Sequence, residues 1–272
     1  MAKENQVIWT CKLCRSVGPL RESHYMPKSA YKLIGRANEG APVILKEKVA
    51  IQKNEQIKAY VLCQECEQRF SENGESWVMK FCHREGEGFK LKNLIEASKP
   101  LLGDDKLRVY SAANIAEIDI EKLAYFAASI LWRGSVHKWK SGRDQLNGLD
   151  LGTKYEEELR LYLLGQAPFP RNAVLWVSVI PSAELSNTIL VPTGEKKGWY
   201  WRYKFTIQGI SFHFFLGGHI DKGIRSFCAY RSPEKFIFSG DNVSGFVLED
   251  AAPLLKSAKP VGSLSPKADK RP

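Results

Sequence analysis

Two Cys-x-x-Cys pairs in the first quarter of the chain constrain its fold more than any other feature. Two intervening residues let a tight turn direct both thiolates at one ion, and four thiolates complete a tetrahedral zinc site. The alternatives are two separate buried thiol pairs or a redox dithiol, which needs only one such pair. We therefore expect one structural zinc ion, held by Cys11, Cys14, Cys63 and Cys66.

The remaining composition indicates a cytoplasmic protein with a substantial core. The chain has 272 residues, 44% of them hydrophobic, and contains no apolar run long enough to span a membrane. Its first residues include no apolar segment ahead of a cleavage site, so we expect no secretion. In a reducing compartment cysteines are metal ligands or free thiols, and we expect Cys82 and Cys228 to be buried thiols.

Changes in composition divide the chain into three predicted parts. Residues 1–100 form the zinc-binding module, and residues 101–257 form a helical and β-rich domain. The stretch SKPLLGDD, where proline and glycine lie beside acidic residues, is the linker candidate. Residues 258–272 hold too few apolar groups to fold, so they are expected to be a disordered basic tail.

Hydrophobic periodicity predicts an α+β fold. The segments IDIEKLAYFAASILWRG and KYEEELRLYLLG carry apolar residues at helical spacing. From about Pro168 the pattern changes to short β-branched and aromatic runs separated by turn residues. We expect these runs, such as NAVLWVSVI and ISFHFFLGG, to be antiparallel strands of one sheet or barrel-like layer.

A histidine and several carboxylates surround the cysteine pairs. His24 lies in the segment Glu22-Ser23-His24-Tyr25-Met26-Pro27 between the pairs. Glu67 follows the second pair, and Glu75 lies eight residues later, about two turns along a predicted helix. A zinc ion shared by both pairs would bring His24 close to the start of this helix. The alternatives are a histidine that only orders the module and a solvated acidic helix face.

This arrangement resembles the HNH, or ββα-metal, endonucleases over roughly residues 8–83. Many members carry a Cys-x-x-Cys pair, an acidic residue and a histidine, and a second pair ahead of a helix. The resemblance implies a treble-clef or ββα-like zinc module. It also implies that His24 acts as general base, activating water for attack on a phosphodiester.

The same resemblance implies a second, catalytic Mg²⁺ or Mn²⁺ ion. By position, Glu22 or Ser23 stands where the family has its acidic ligand, and Glu67 or Glu75 stands where the helix supplies one. Ser23 is a departure, because an aspartate usually precedes the histidine and a neutral hydroxyl is a poor ligand for a hard cation.

The layout is also similar to a group of bacterial proteins known mainly as HNH-type or uncharacterised. They combine an S-H-x-x-P segment, an L-C-x-x-C-E segment and a later helix reading S-I-L-W-R. The chain has these at Ser23–Pro27, Leu62–Glu67 and Ser129–Arg133. This similarity suggests that His24, Glu67 and Glu75 belong to one site, but it implies no established reaction. We expect a structural role for Arg133.

Two functions follow as expectations. The first is a metal-dependent endonuclease acting on DNA, with Lys28, Lys32, Arg36 and Arg69 near phosphates. The second is a non-catalytic, zinc-stabilised nucleic-acid-binding or regulatory and defence protein on a degenerate nuclease scaffold. The net charge of +10 agrees with a polyanionic partner in either case, and equally with a basic protein that has no such partner. A weaker alternative makes the aromatic strands a single-strand binding surface, although core filling is the expected role of those aromatics.

Overall fold

A computed structural model describes most of the chain as a mixed α+β fold with several antiparallel sheets. The described residues are 7–37, 43–46, 49–52, 55–85, 88–142, 144–146, 148–183 and 185–261. None of the helices in these ranges combines the length and apolar character needed to cross a membrane.

The N-terminal hundred residues contain short strands and helices in alternation. In chain order they are β1 (Ile8–Thr10), β2 (Val17–His24), α1 (Lys28–Ala37), β3 (Val43–Lys46), β4 (Val49–Gln52), β5 (Lys58–Cys63), α2 (Gln64–Phe70), a π-helical turn (Ser71–Glu75), α3 (Ser76–Phe81), β6 (Arg84–Glu85), β7 (Gly88–Phe89) and α4 (Lys90–Glu96). Strands β1, β2 and β5 form an antiparallel sheet with β2 in the middle.

The remainder contains two long helices and most of a large sheet. Its elements are β8 (Leu102–Gly103), β9 (Arg108–Ser111), α5 (Ile120–Val136), β10 (Lys140–Ser141), β11 (Asp144–Gln145), α6 (Gly152–Leu163), β12 (Ala173–Val179), a 3₁₀ turn (Leu185–Asn187), β13 (Ile189–Lys197), β14 (Tyr200–Ile207), β15 (Ile210–Gly217), α7 (Lys222–Ser226), β16 (Phe236–Ser239), α8 (Asp241–Ser257) and β17 (Lys259–Val261).

The large sheet has seven strands in the order β13-β14-β15-β12-β16-β9-β8. The hairpins β13–β14 and β14–β15 are antiparallel, as the alternating aromatic pattern predicts. Strands β12 and β16, however, are parallel, so the expectation of a purely antiparallel layer is corrected. The reason is the connection: β16 follows α7 after a long crossover and does not return by a tight turn.

Helix α5 lies at the centre of the core. Asp119 caps its N-terminus by accepting a 3.0 Å hydrogen bond from the Lys122 amide, a frequent signal for helix initiation. Phe126 packs against Phe212 of the large sheet, with ring centroids 5.6 Å apart. Trp132 packs against Phe70 of α2 at 6.1 Å. One cluster of buried residues therefore crosses the predicted boundary near residue 100.

The C-terminal segment contains more regular structure than its composition indicated. Helix α8 carries Pro253 within its length. Strand β17 pairs in parallel with β4, so regular structure continues past residue 258, where the tail was expected to begin. Residues 262–272, which make up the rest of the predicted tail, lie outside the described part of the chain.

Candidate functional site

The four predicted cysteine ligands meet at one point. Their sulfur atoms all lie within 4.8 Å of one another, and this is the one group of three or more potential ligands found in the described ranges. The first pair occupies the turn between β1 and β2, where Arg15 adopts a positive φ of 66°. The second pair joins the end of β5 to the first turn of α2. The cluster therefore links two separate elements.

The geometry of this cluster fits a tetrahedral metal ion. The sulfurs of Cys14 and Cys63 are 3.8 Å apart, and ligands at about 2.3 Å from a tetrahedral zinc lie about 3.8 Å from each other. The amide of Cys63 donates a 3.4 Å hydrogen bond to the Cys11 sulfur. Arg160 of α6 supports the first turn by donating a 2.8 Å hydrogen bond to the Leu13 carbonyl.

The pKa values of the thiols are also shifted in opposite directions. A hydrogen bond from the Cys66 thiol lowers the pKa of Cys11 to about 4. Burial raises the pKa of Cys63 to about 12. Because neighbouring thiolates repel one another, four of them ionise together only around a cation. The donor set is therefore suited to a metal ion.

A polar cleft of about 390 Å³ opens beside this cluster. Three segments form its walls: the end of β2 with the start of α1, the helix that follows the second cysteine pair, and α5. The lining side chains are His24, Lys28, Gln64, Glu67, Gln68, Ser71, Glu75 and Arg133. The structure therefore brings together His24, Glu67 and Glu75, as the sequence predicts, and adds the cations of Lys28 and Arg133.

The π-helical turn explains how the two glutamates share the cleft. In a regular α-helix, residues eight apart are offset by roughly 80° around the axis, at about 100° per residue. A π turn takes more residues per turn, which rotates later residues back. The turn at Ser71–Glu75 therefore brings Glu75 onto the same face as Glu67. Both glutamates therefore line one cleft, although the helical segment between them is not a regular α-helix.

Arg133 connects α5 to the other two walls. Its side chain is 1% exposed, and Nη2 forms an ion pair with Glu75. Nη1 donates a 2.5 Å hydrogen bond to the main-chain carbonyl of His24. Burial disfavours the charged guanidinium, but Glu75 and Glu67 outweigh it and raise the pKa of Arg133 above its usual value. The predicted structural role is confirmed, and the residue also lines the cleft.

His24 is half-buried at the end of β2. Its Nε2 lies 2.8 Å from Oε1 of Gln56, in the loop before β5. With the Gln56 amide in this orientation, Nε2 donates the hydrogen bond and Nδ1 carries the lone pair of the neutral ring. In this orientation Gln56 favours one tautomer of His24.

Glu67 has a buried carboxylate oxygen that the rest of the described chain does not satisfy. Its Oε1 makes no hydrogen bond there, and neither does Nε of Arg133. Burying an ionised oxygen without a partner is costly, so such a group calls for a cation or a hydrogen-bond donor. Both atoms belong to side chains that line the cleft.

Glu22, the fourth predicted site residue, is not brought into the cleft. It is exposed, and its carboxylate accepts a 2.6 Å hydrogen bond from Lys58. The register of β2 and β5 shifts between Arg21 and Glu22, and Ser23 is then the residue that turns inward. The Ser23 hydroxyl accepts a 3.2 Å hydrogen bond from the Leu62 amide, which makes it a structural group between the strands.

Sequence reasoning did not identify the glutamines of the site. Gln56 orients His24, and Gln64 and Gln68 line the cleft on either side of Glu67. The helical spacing of Gln64 and Gln68 was a usable signal, because both lie one turn from other lining positions. Gln56 lies in a loop without a motif, so no local pattern could have marked it.

Comparisons with protein-family models, curated proteins and solved structures returned no match. The fold and the site alone define the class of this protein. It is a mixed α+β chain with a four-cysteine cluster suited to a metal ion, next to a cleft that contains a histidine and two glutamates.

Proposed function

We propose that this protein is a metal-dependent endonuclease that hydrolyses phosphodiester bonds of DNA in the cleft, with His24 as general base. The observation that carries this proposal is the presence of His24 and the buried, unsatisfied Oε1 atom of Glu67 in the walls of one open cleft. Lys28 and Arg133 contribute positive charge to the same walls. Hydrolysis of a phosphodiester is helped by a base that activates water, by a cation site and by positive charge near the phosphate.

The order of elements supports the resemblance to HNH endonucleases. A strand ending in His24 pairs with a second strand that leads directly into the acidic helix. A cysteine pair precedes the first strand, and another lies at the junction of the second strand and the helix. We propose that this unit is a treble-clef module whose four cysteines hold a structural zinc ion.

The cleft provides a fitting donor set for a second, hard divalent ion. Glu67 offers a carboxylate oxygen and Gln68 an amide oxygen, whereas the Gln64 oxygen already accepts a 2.6 Å hydrogen bond from Arg21. No second group of three histidine, cysteine or acidic ligands occurs among the described residues, but Mg²⁺ typically uses one or two carboxylates together with water and substrate phosphates. When bound, Mg²⁺ or Mn²⁺ would stabilise the charge that develops on the phosphate oxygens.

The side chains of the cleft and Gln56 then carry out the remaining roles in hydrolysis. The lone pair on Nδ1 of His24 takes a proton from water, whose oxygen forms the new bond to phosphorus. The bond from phosphorus to the leaving oxygen breaks, and solvent protonates that oxygen. Gln56 holds the imidazole in the required tautomer. Arg133 fixes the main chain of His24, and Lys28 attracts the phosphate.

A plasmid-nicking assay with Mg²⁺ or Mn²⁺ tests this function. His24→Ala removes the base and keeps the backbone carbonyl that Arg133 holds, so the variant is expected to fold. The matched control is His83→Ala, because His83 is exposed and lies outside the cleft. General-base catalysis contributes on the order of 10²- to 10⁴-fold. We expect a loss of that size in His24→Ala and none in His83→Ala.

Cleavage that survives His24→Ala unchanged would remove His24 as the base. Absence of cleavage of any nucleic acid, with binding retained, would instead favour the second candidate: a non-catalytic, zinc-stabilised nucleic-acid-binding or regulatory protein. Two observations favour that candidate. Ser23 occupies the expected position of an acidic ligand, and Glu75 is already paired with Arg133.

A further inference from the structure

The β13–β14 hairpin exposes two tryptophans at the edge of the large sheet. Trp199 is 82% exposed and Trp201 is 40% exposed. Most other aromatics of β14 and β15, including Tyr203, Phe205, Phe212 and Phe214, are buried as expected for core residues, while Tyr200 is half-buried. The hairpin tip is therefore an exception within an otherwise apolar-filled sheet, and core packing does not account for it.

The turn itself presents Trp199 outward. Lys197 pairs with Tyr200, which leaves only Gly198 and Trp199 in the turn. Gly198 has a φ of 59°, a conformation that glycine adopts without strain and that allows this tight turn. The Trp199 and His219 rings are steeply inclined to each other, with centroids 6.0 Å apart. Most of the indole surface is nevertheless open to solvent, since Trp199 is 82% exposed.

Basic residues surround these aromatics. Residues 193–204 and 217–225 contain six lysines and arginines but two acidic residues. One of the two, Glu195, is paired with both Arg202 and Lys197. Lys196, Lys197 and Lys222 are exposed, and Lys196 lies directly across from Trp201 in the register of β13 and β14. We call Lys196, Lys197, Trp199, Trp201 and His219 the hairpin patch.

We propose that the hairpin patch binds single-stranded nucleic acid, with a base stacked on Trp199 and the neighbouring lysines near phosphates. Exposed indoles stack on any base, and lysines follow the backbone of a single strand. The base faces of a duplex are already covered by their neighbours, so an open indole favours unpaired bases. This surface is separate from the cleft, and the proposal does not depend on catalysis there.

Fluorescence anisotropy with labelled oligothymidylate and oligouridylate, in buffer without added divalent ions, tests the proposal. Trp199→Ala is expected to weaken binding about tenfold, the loss of one stacked base. Because Trp199 is so exposed, the variant is expected to keep the wild-type melting curve. Binding of either oligomer supports the proposal, and the tighter one identifies the preferred sugar.

Trp9→Ala provides a matched control. Trp9 is 65% exposed but lies on β1, in the sheet of the N-terminal module. We expect this variant to bind like wild type, because it leaves the hairpin patch unchanged. The proposal is overturned by unchanged affinity in Trp199→Ala, by an equal loss in Trp9→Ala, or by duplex DNA binding that Trp199→Ala weakens as much as it weakens single-strand binding.

Discussion

At the scale of single residues, Arg133 has the largest structural role in the cleft. It is buried, and it contacts the carboxylate of Glu75 and the carbonyls of His24 and Tyr25. Its guanidinium also lies over the Phe70 ring, 4.9 Å from the centroid. One side chain therefore fixes the end of a strand relative to a helix, which a sequence motif of five residues on α5 could not reveal.

Arg133→Met is expected to lower the free energy of unfolding by about 3–5 kcal/mol, because it leaves Glu75 without its buried counter-charge. Chemical denaturation of the variant measures this change. Arg15→Met is the matched control, since Arg15 also pairs with a glutamate but its side chain is 60% exposed. Exposed pairs contribute up to about 1 kcal/mol. Equal losses in the two variants would contradict the assigned role of Arg133.

Residue chemistry was predictable where it depended on short spacings. The spacing of the cysteine pairs predicted the four-cysteine cluster. The positions of His24, Glu67 and Glu75 predicted that these side chains lie together, and all three line the cleft. Glu22 could not be placed, because a register shift in β2 decides which of Glu22 and Ser23 turns inward. Such a shift depends on pairing with β5, a contact between distant parts of the chain.

At the scale of elements, the π-helical turn and α5 pack closely at Gly74. A Cβ atom added at Gly74 would lie 2.9 Å from the Phe126 amide nitrogen, closer than real Cβ contacts allow. A glycine in the middle of a helix usually weakens that helix. The position of Gly74 against the α5 backbone shows instead that it permits the close approach that brings Glu75 to Arg133.

Gly74→Ala is therefore expected to destabilise the protein by about 1–3 kcal/mol, despite the better helix propensity of alanine. Thermal denaturation provides the measurement. In α8, Gly245 has open space around its Cα, so Gly245→Ala should raise stability by up to about 1 kcal/mol. A stabilising Gly74→Ala variant would show that the two helices do not need this contact.

Elements with strong local periodicity were predicted correctly. The α5 and α6 segments have apolar residues at helical spacing, and the hairpins of the large sheet alternate with turn residues. Helix α8 was not predicted, because Pro253 is unusual inside a helix and the apolar periodicity of the segment is weak. The parallel pairing of β12 with β16 depends on the path of the long segment between these two strands. Local sequence patterns do not indicate that path.

At the scale of the whole molecule, the cysteine cluster links the β1–β2 turn to the start of α2. This link fixes β2, which ends at His24, relative to the helix that carries Glu67. Structural zinc sites supply on the order of 10 kcal/mol of folding free energy in small modules. The geometry of the cleft is therefore expected to depend on the metal.

Purified protein is expected to contain one zinc ion per chain by elemental analysis. Cys14→Ser should lose the metal and several kcal/mol of stability. Cys82→Ser should keep both metal and fold: Cys82 is a buried thiol outside the cluster, and its burial raises its pKa and keeps it protonated. Zinc retained at full occupancy by Cys14→Ser would refute the four-cysteine site.

The most direct test of the proposed catalytic site is Mn²⁺ binding to the zinc-loaded protein, followed by electron paramagnetic resonance. The buried oxygen of Glu67 is expected to hold one Mn²⁺ ion, and Glu67→Gln should weaken that site at least tenfold. Glu117→Gln, at an exposed position outside the cleft lining, should bind like wild type. A wild-type protein without a Mn²⁺ site, or a Glu67→Gln variant with unchanged affinity, would contradict the proposal.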